Sequence, residues 1–538
     1  MRFQLLIILL IISIIQTGCD SFIFEAVTPA DSDFQSDGDK SSDSLNDSEN
    51  IDSDWEIIPP FTIPDSIDEC SDLNIDMGTA GIKRYTLGDG DSSLCTEENL
   101  HSIVSMVNDA GRGIIDFDCG EGQFTIPLLR PLKIISDVYV VFDGGSKITL
   151  DGRLTSRLIE SSYDVTLIVK NMRFTRGLAT ERNNGGAIFY GDGGSSGSLQ
   201  IFGSIFENNL SEQGRGGAVF AEEVQSIKIS RSIFKNNYAG YGGAIFVWGH
   251  HLIIGDSIFE GNEVFKEGGA LNFDGFSIVT DTDKLTICGS VFKNNSSIFN
   301  GSAIKSFVYN SNLAEYKYCS FTNNRASADG TWGTSYGALY HHGTKLLVDS
   351  VSFINNITNS DAAALFVDVT GSTVVINSTF SDNVSTGSNS VGGTLFFTKA
   401  GKGTLKNSTF VNNKALYGVI YKEDGALTID NSIFSLNTGY ADPDLHVNCE
   451  SEYEGSNNIQ WNDGDMTDDI LCTKDILTLD PGLLNIQNNG GFVDTCAIDS
   501  DSPAVDFGLD CPRLDARAYS RPSTCDAGAF STGATKSY

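Results

Sequence analysis

The chain has 538 residues, with 70 acidic residues against 35 Lys and Arg, and its formal net charge is −35. A nucleic-acid-binding protein needs clustered Lys and Arg to displace counterions from phosphate, and no such cluster occurs, so that class is excluded. With 56 Gly, 33 Phe and only 11 Pro, the composition indicates a regular repeat rather than several ordinary domains.

Residues 1–18 have the features of an export signal. Arg2 supplies the positive start, and the apolar run that follows is shorter than the about 20 residues that a membrane helix needs. The run ends in IQTGC, which resembles the bacterial lipoprotein signal, except that Gln16 stands where Leu is usual. We expect a lipid on Cys19 that anchors the protein to a membrane. An ordinary secretory signal is the alternative.

Residues 19–69 form an acidic segment. Between Asp20 and Glu69 there are 15 acidic residues and a single basic one, Lys40. Low hydrophobicity combined with high net charge predicts a disordered tether. The Asp-x-Asp sequences leave a calcium-binding acidic tail as the alternative, although nothing in the sequence orders them into a cage.

Residues 70–147 are predicted to form an N-terminal cap and the first coils. Thr96 is a suitable N-cap, and Glu97 and Glu98 complement the dipole of a short amphipathic helix that extends to Val107. Strands are predicted over 113–117, 138–142 and 147–150, and the helix is expected to cover them.

Two signatures recur over residues 148–440. The first is Phe-x-x-Asn, which occurs nine times at spacings of 24 to 33 residues: Phe206/Asn209, Phe234/Asn237, Phe259/Asn262, Phe292/Asn295, Phe321/Asn324, Phe353/Asn356, Phe380/Asn383, Phe410/Asn413 and Phe434/Asn437. The second is Gly-Gly-Ala followed by a branched residue, which is intact at Gly185, Gly216, Gly242 and Gly268 and then continues in altered form to Gly418. A fixed period with strand-like runs and Gly, Asn and Asp turns predicts stacked supersecondary units.

The fold class predicted from these signatures is all-β, a right-handed parallel β-helix. Each Phe is expected to enter an internal stack at a coil spacing of about 4.8 Å. Each Asn is expected to close a turn, to bond to the backbone and the next Asn, and to tolerate left-handed torsion angles. The Gly-Gly-Ala sequences should allow close approach between coils. Both signatures are therefore interpreted as scaffold.

Apart from Cys19 the chain has ten cysteines, an even number that fits oxidised pairing after export. Cys288 and Cys319 precede neighbouring Phe positions, so we expect them to lie in adjacent coils, where a disulfide between them is an open alternative. The other eight lie near the two ends, where disulfides would staple the caps that an open β-helix needs. Residues 441–538 are predicted to be the C-terminal coils and cap.

The alternating GGAI and Phe-x-x-Asn repeats resemble the polymorphic outer-membrane proteins and the wider group of pectin-lyase-like β-helix repeat proteins of bacterial surfaces. The run from Asp89 to Glu98 is loosely similar to the CSLREA motif of such proteins. The residues SPAVD at Ser502 and CDAGAF at Cys525 resemble the C-terminal motif of the choice-of-anchor group. The resemblance implies the fold and a surface location. Polymorphic outer-membrane proteins usually end in a translocating barrel whose pattern the last residues do not show, so the lipid on Cys19 is the expected anchor.

The position four residues after the Ala of each Gly-Gly-Ala unit is predicted to form one outward column, which reads Gly191, Glu222, Trp248, Asp274, Phe307, His342, Asp368, Thr398 and Glu423. Glu222 and Asp274 should lie near 10 Å apart with Trp248 between them, which makes these three the candidate glycan-binding residues. Phe307 and Thr398 interrupt the acidic pattern and no Lys or Arg accompanies it, so no catalytic residues are assigned.

No metal site is predicted, because the neighbouring pairs His250-His251 and His341-His342 should point to opposite faces of their strands. Calcium is the one cofactor left open, at acidic residues such as Asp463, Asp465, Asp468 and Asp469, which an exposed turn explains equally well. The sequence predicts a non-catalytic, surface-anchored protein for adhesion or cell-envelope contact. The alternative is a carbohydrate-binding or polysaccharide-cleaving β-helix. The expected partners are a membrane, through the lipid, and glycans or surface proteins.

Overall fold

A computed structural model describes residues 81–179, 184–191, 197–275, 284–327, 335–387, 392–398, 401–464, 466 and 469–536, with the backbone alone at 310 and 311. The predictions on the export signal, Cys19, the acidic tether and Cys70 lie outside these residues. So do Asp465 and Asp468.

The described part of the chain begins with a strand, a short 3-10 helix (Ser92–Leu94) and the helix α1 (Glu97–Ala110). The Thr96 side chain accepts a hydrogen bond from the backbone N–H of Asn99, which confirms Thr96 as the N-cap, and Gly111 ends the helix at φ 71°. Leu100, Val104 and Val107 are buried against the first coils. The helix thus covers the apolar interior at the start of the stack. No helix in the described residues has the length and apolarity to cross a membrane.

The strands of the described residues form a 30-stranded parallel sheet, a nine-stranded parallel sheet and an antiparallel pair. The members of the largest sheet are Arg84–Gly88, Arg112–Asp118, Phe124–Pro127, Leu132–Ile134, Tyr139–Asp151, Ile159–Ser161, Thr166–Thr175, Ile188–Tyr190, Ser198–Phe202, Ile205–Glu207, Val219–Ser230, Ile233–Lys235, Ile245–Gly255, Ile258–Glu260, Leu271–Gly275, Lys284–Cys288, Val291–Lys293, Ile304–Lys317, Ser320–Thr322, Leu339–Asp349, Ser352–Ile354, Leu365–Ile376, Thr379–Ser381, Leu395–Phe397, Lys402–Lys406, Thr409–Val411, Ile420–Lys422, Leu427–Asp430, Ile433–Ser435 and Ile459–Trp461.

The nine-stranded sheet consists of Leu210–Arg215, Tyr238–Tyr241, Glu263–Glu267, Ser296–Ser297, Arg325–Ala326, Ile357–Thr358, Val384–Ser385, Lys414–Ala415 and Thr438–Gly439. The antiparallel pair is Tyr519–Ser520 with Thr535–Lys536. Each strand of the two parallel sheets pairs with a strand one repeat away, so that Phe206 lies opposite Phe234 and Phe234 opposite Phe259. The chain is therefore a parallel β-solenoid of about 12 turns.

The phenylalanines of the repeat form a continuous stack in the interior. Phe174, which the Phe-x-x-Asn pattern does not include, precedes the nine predicted rings. Consecutive centroids are 4.4 to 5.2 Å apart. All ten rings are fully buried, and each burial contributes roughly 2 to 3 kcal/mol.

The asparagines of the repeat form a buried ladder. Each Nδ2 donates to the Oδ1 of the Asn in the next coil at 2.9 to 3.0 Å and to the Phe carbonyl of the preceding coil at 2.9 to 3.1 Å. One expectation is corrected, because the left-handed position is the residue before each ladder Asn: Asn294, at φ 55°, precedes Asn295. The side-chain amide of the ladder Asn makes the hydrogen bonds between coils, and the residue before it adopts the left-handed conformation of the turn.

The double glycines are required by the spacing of the coils. Gly216 has φ 65°, and a Cβ on Gly217 would lie 2.2 Å from the carbonyl oxygen of Gly243 in the next coil. No side chain fits at that distance, so the sequence expectation of close approach is confirmed.

Three disulfides join described residues, and all lie near the ends of the stack: Cys95–Cys119, Cys449–Cys472 and Cys511–Cys525. The suggested Cys288–Cys319 disulfide is wrong. Cys288 lies opposite Lys317, the last residue of its strand, whereas Cys319 lies beyond that strand, after Tyr318, which has φ 52°. Cys288 points outward to Tyr318 and Phe492, whereas Cys319 is a free thiol in the main core. The two sulfurs face opposite sides of the sheet.

The C-terminal residues fold back along the outside of the Phe-bearing strands. The Asn407 Nδ2 donates to the Asp526 carbonyl at 3.0 Å, and the Ala529 N–H donates to the Thr409 hydroxyl at 3.1 Å. Arg521 reaches further up the stack to the Asn377 side chain at 3.1 Å.

Candidate functional site

The candidate site lies on the strands that follow the Gly-Gly-Ala turns. The structure places Glu222 opposite Trp248, Trp248 opposite Asp274, Asp274 opposite Phe307, Phe307 opposite His342 and His342 opposite Asp368. In the next two coils, Phe397 pairs with Val367, and Lys422 pairs with Phe397. Thr398 and Glu423 directly follow Phe397 and Lys422 in the sequence, so they continue the column. The predicted column therefore exists as a row of neighbours at strand spacing, about 4.8 Å apart.

Strand alternation turns this column away from the interior. On the strand Val219–Ser230, Val219 and Ala221 are buried in the main core, while Glu222 is partly exposed. The same holds along the row, in which the side chains are partly or fully exposed. We call these residues, together with Tyr309, the outer strip: Glu222, Trp248, Asp274, Phe307, Tyr309, His342, Asp368, Thr398 and Glu423.

The column predicted from the sequence does not include Tyr309, because this residue lies two positions beyond Phe307, near the register shift of its strand. Its hydroxyl donates to Asp274 Oδ1 at 3.0 Å. Burial and the neighbouring carboxylate raise the pKa of Tyr309 to about 12. The hydroxyl therefore stays protonated at physiological pH and holds the Asp274 carboxylate in place.

His342, Asp368 and Thr398 form a hydrogen-bonded group across three coils. His342 Nδ1 lies 2.8 Å from Asp368 Oδ2, and the Thr398 hydroxyl donates to Asp368 Oδ1 at 2.7 Å. The side chains of His342 and Asp368 keep 39% and 33% of their surface exposed. The Phe307 ring packs against the His342 ring in a tilted arrangement, with centroids 4.8 Å apart. Phe307 and Thr398, which interrupt the acidic pattern in the sequence, thus connect the strip in the structure.

A second outward row supports the strip. Phe189, Phe220 and Phe246 stack at 5.4 and 5.7 Å, and Trp248 packs against them. Further along, Tyr340, Phe366, Phe396 and Tyr421 stack at 4.9 to 5.3 Å. Most of these rings are buried although they point away from the solenoid interior. They form an aromatic base that limits the movement of the strip side chains.

The lysine that packs on Phe307 is already paired with a carboxylate. The Lys305 ammonium lies 4.6 Å from the Phe307 ring centroid and is paired with Glu267, which also accepts from Asn300 at 2.8 Å. No group of three or more His, Cys, Asp or Glu in the described residues is arranged to hold a metal. The structure brings the strip together as an acidic and aromatic surface.

His341, the sequence neighbour of His342, points into the interior, as predicted for adjacent residues on a strand. Its Nδ1 lies 2.9 Å from the Ser306 hydroxyl, which accepts a hydrogen bond from Tyr316 at 2.9 Å. Burial lowers the pKa of His341 to about 3. His341 is therefore a neutral part of the core and does not belong to the strip.

One family model supports this architecture. A family model described as right handed beta helix region matches residues 158–353. The probable autotransporter YfaL of Escherichia coli (strain K12) is 26% identical over 346 residues, which cover 60% of this chain and 25% of that protein. The chain thus spans about a quarter of the length of this relative.

A solved structure of a mannuronic acid specific polysaccharide family 6 lyase enzyme from human gut microbiota aligns with 74% of this chain and 92% of its own. The TM-score is 0.37 and the sequence identity is 9%. The fold is identified by the strand register, the internal Phe stack, the Asn ladder and the family match. The protein is a right-handed parallel β-helix.

Proposed function

We propose that the protein is a non-catalytic, surface-anchored β-helix that serves adhesion or contact within the cell envelope. The observation that carries the proposal is the outer strip, a continuous row of aromatic and hydrogen-bonding side chains over eight successive coils. A repeated scaffold presents such a row without interruption, which suits binding to an extended partner. The similarity to an autotransporter supports a cell-surface location, and the proposed anchor is the lipid on Cys19.

The side chains of the strip support binding more than catalysis. Asp274 and Asp368, the two carboxylates in its centre, are held by Tyr309 and by His342 with Thr398, so both are oriented as acceptors. General acid–base hydrolysis of a glycoside needs two carboxylates placed on opposite sides of one bond. Asp274 and Asp368 are three coils apart, about 14 Å at strand spacing, and lie on the same face.

The proposal is tested with the full chain in two assays. Purified protein should bind isolated envelope polysaccharide or whole cells, and Trp248→Ala should weaken this binding by about tenfold, the loss expected for one stacking contact. Depolymerisation of pectate, alginate or another acidic glycan in the presence of calcium would contradict the non-catalytic proposal. Unchanged binding by Trp248→Ala would contradict the role of the strip.

A second candidate, polysaccharide cleavage, is favoured by one observation, the 2.8 Å hydrogen bond between His342 and Asp368 on the exposed face. An imidazole oriented by a carboxylate is a common general base. If the protein cleaves a glycan through this pair, His342→Gln should abolish cleavage while binding through Trp248 remains. Absence of any product from wild-type protein over a panel of glycans would eliminate this candidate.

A further inference from the structure

We infer that the outer strip binds a linear, uncharged polysaccharide that runs parallel to the solenoid axis with about one sugar unit per coil. This inference rests on the proposed contact function of the same strip and adds the class and the orientation of the ligand.

The spacing of the strip matches a polymer of sugar rings. Neighbouring positions are separated by the distance between parallel strands, about 4.8 Å, which is close to the length of one pyranose unit in a linear chain. The eight positions from Glu222 to Glu423 therefore extend over about 34 Å, or seven strand spacings. A chain lying along the axis meets one strip position in each coil, whereas a chain lying across it meets only a single strip position.

The chemistry of the strip suits hydroxyl groups and the apolar faces of sugars. Trp248, Phe307 and Tyr309 present partly exposed rings, and the carboxylates of Asp274 and Asp368 lie between and beyond them. An ionised carboxylate accepts about four hydrogen bonds, so one or two bonds from Tyr309, His342 or Thr398 leave capacity for ligand hydroxyls. These internal bonds fix the acceptors before the ligand arrives, which lowers the entropic cost of binding.

The charge of the strip argues against a uronate ligand. Four of its eight column positions are Glu or Asp, and none is Lys or Arg. The neighbouring Lys305 is paired with Glu267 and packs on the Phe307 ring. A polyuronate would bring one carboxylate per sugar close to these four carboxylates, and the repulsion between like charges would oppose stacking. An uncharged glycan avoids that repulsion.

The experiment measures the affinity of the full chain for three ligand series at physiological ionic strength. These are neutral cello-, xylo- and manno-oligosaccharides of two to ten units, alginate and pectate oligosaccharides of the same lengths, and a Lys-rich peptide. Trp248→Ala is the test variant. Tyr440→Ala, which removes an exposed aromatic ring from the region after the nine-stranded sheet, is the control. Asp274→Asn and Asp368→Asn remove charge from the strip and keep its acceptors.

We expect affinity for at least one neutral series to rise with length up to about eight units and then level off. Trp248→Ala should lower it about tenfold, and Tyr440→Ala should leave it unchanged. The two Asn variants should bind uronates more tightly than wild type does.

Stronger binding of uronates than of neutral chains by wild-type protein would overturn the inference and leave the proposed contact function standing. Affinity that does not grow beyond two or three units would overturn the axial orientation. Binding of the peptide alone would overturn the assignment of a glycan. If wild-type protein also binds neither cells nor envelope material, the proposed function itself fails.

Discussion

Single buried residues in this solenoid carry titratable groups whose ionisation the fold opposes. His341 lies fully buried in the interior, with its pKa lowered to about 3 by burial. Asp256 is buried at a corner between two strands, and burial raises its pKa to about 6 although Arg231 lies nearby with the opposite effect. The two groups make opposite contributions to the dependence of stability on pH.

For His341 we predict a loss of stability in acid. The unfolded chain takes up a proton near pH 6.5 and the folded protein only near pH 3, so between these values the free energy of unfolding falls by roughly 1.4 kcal/mol per pH unit. His341→Val, which matches Val367 in the next coil, should reduce this slope. Urea denaturation of wild type and variant at pH 7, 5 and 4 measures the free energy of unfolding at each pH. If this free energy changed equally with pH in both proteins, the burial assigned to His341 would be contradicted.

For Asp256 we predict the opposite change of stability with pH. Since its folded pKa lies above the unfolded value of about 3.9, stability falls as the pH rises from about 4 to 6 and stays lower at neutrality. Asn occupies the same left-handed corner at Asn377 and Asn407, so Asp256→Asn fits the backbone. We expect the variant to be about 1 to 3 kcal/mol more stable than wild type at pH 7 and equal to it at pH 4. A variant that is less stable at both pH values would show that the carboxylate is needed.

At the scale of elements, the Asn ladder and the Phe stack hold each coil to the next. A ladder Asn uses both donors and its acceptor on neighbouring coils, so its loss leaves several buried groups without partners. Asn295 donates to the Phe259 carbonyl and to Asn324 Oδ1, and it accepts from the backbone and side-chain N–H groups of Asn262. Each unsatisfied buried group costs about 1 to 3 kcal/mol.

We therefore predict that Asn295→Ala lowers the free energy of unfolding by about 3 kcal/mol or more. The adjacent Asn294 is exposed and has positive φ, so Asn294→Gly should change stability by less than about 1 kcal/mol. Denaturant titration followed by circular dichroism distinguishes the two variants. If both behaved alike, the ladder would have no special role.

Many contacts between coils can be predicted from the sequence, because neighbouring coils repeat the same residue types. The nine Phe-x-x-Asn units mark stacked positions, and a one-residue slip would turn every ring to the opposite face. Phe174 has no such mark, because Gly177 replaces the Asn in its coil; the Gly177 backbone N–H still donates to Asn209 Oδ1. The Cys288–Cys319 pairing could not be judged from spacing alone, because Cys288 lies before the corner between two strands and Cys319 lies after the corresponding corner at Tyr318.

At the scale of the whole molecule, the C-terminal segment braces the solenoid. Its contacts join residues more than a hundred positions apart, such as Asn407 and Asp526, so no periodic pattern in the sequence predicts these contacts. The strip was only partly predictable for the same reason. Its column follows from the repeat, whereas the bonds of Tyr309 to Asp274 and of His342 to Asp368 depend on side chains that differ from coil to coil.

We predict that Arg521→Ala loosens this brace. The Arg521 guanidinium donates to Asn377 Oδ1 and to the carbonyl oxygens of Gly528 and Ala529. Its loss should speed hydrogen exchange and proteolysis in residues 511–536 while the interior stack stays intact. Arg513→Ala, at an exposed position of the same segment, is the control. Equal exchange in both variants would contradict the bracing role.

We propose the outer strip as the contact surface of the protein. Hydroxyl-radical footprinting of the full chain, with and without bound envelope polysaccharide, shows whether the strip is covered on binding. We expect oxidation of Trp248, Phe307 and Tyr309 to decrease on binding, while that of the exposed Tyr440 does not change. Protection of Tyr440 together with unchanged oxidation along the strip would contradict it.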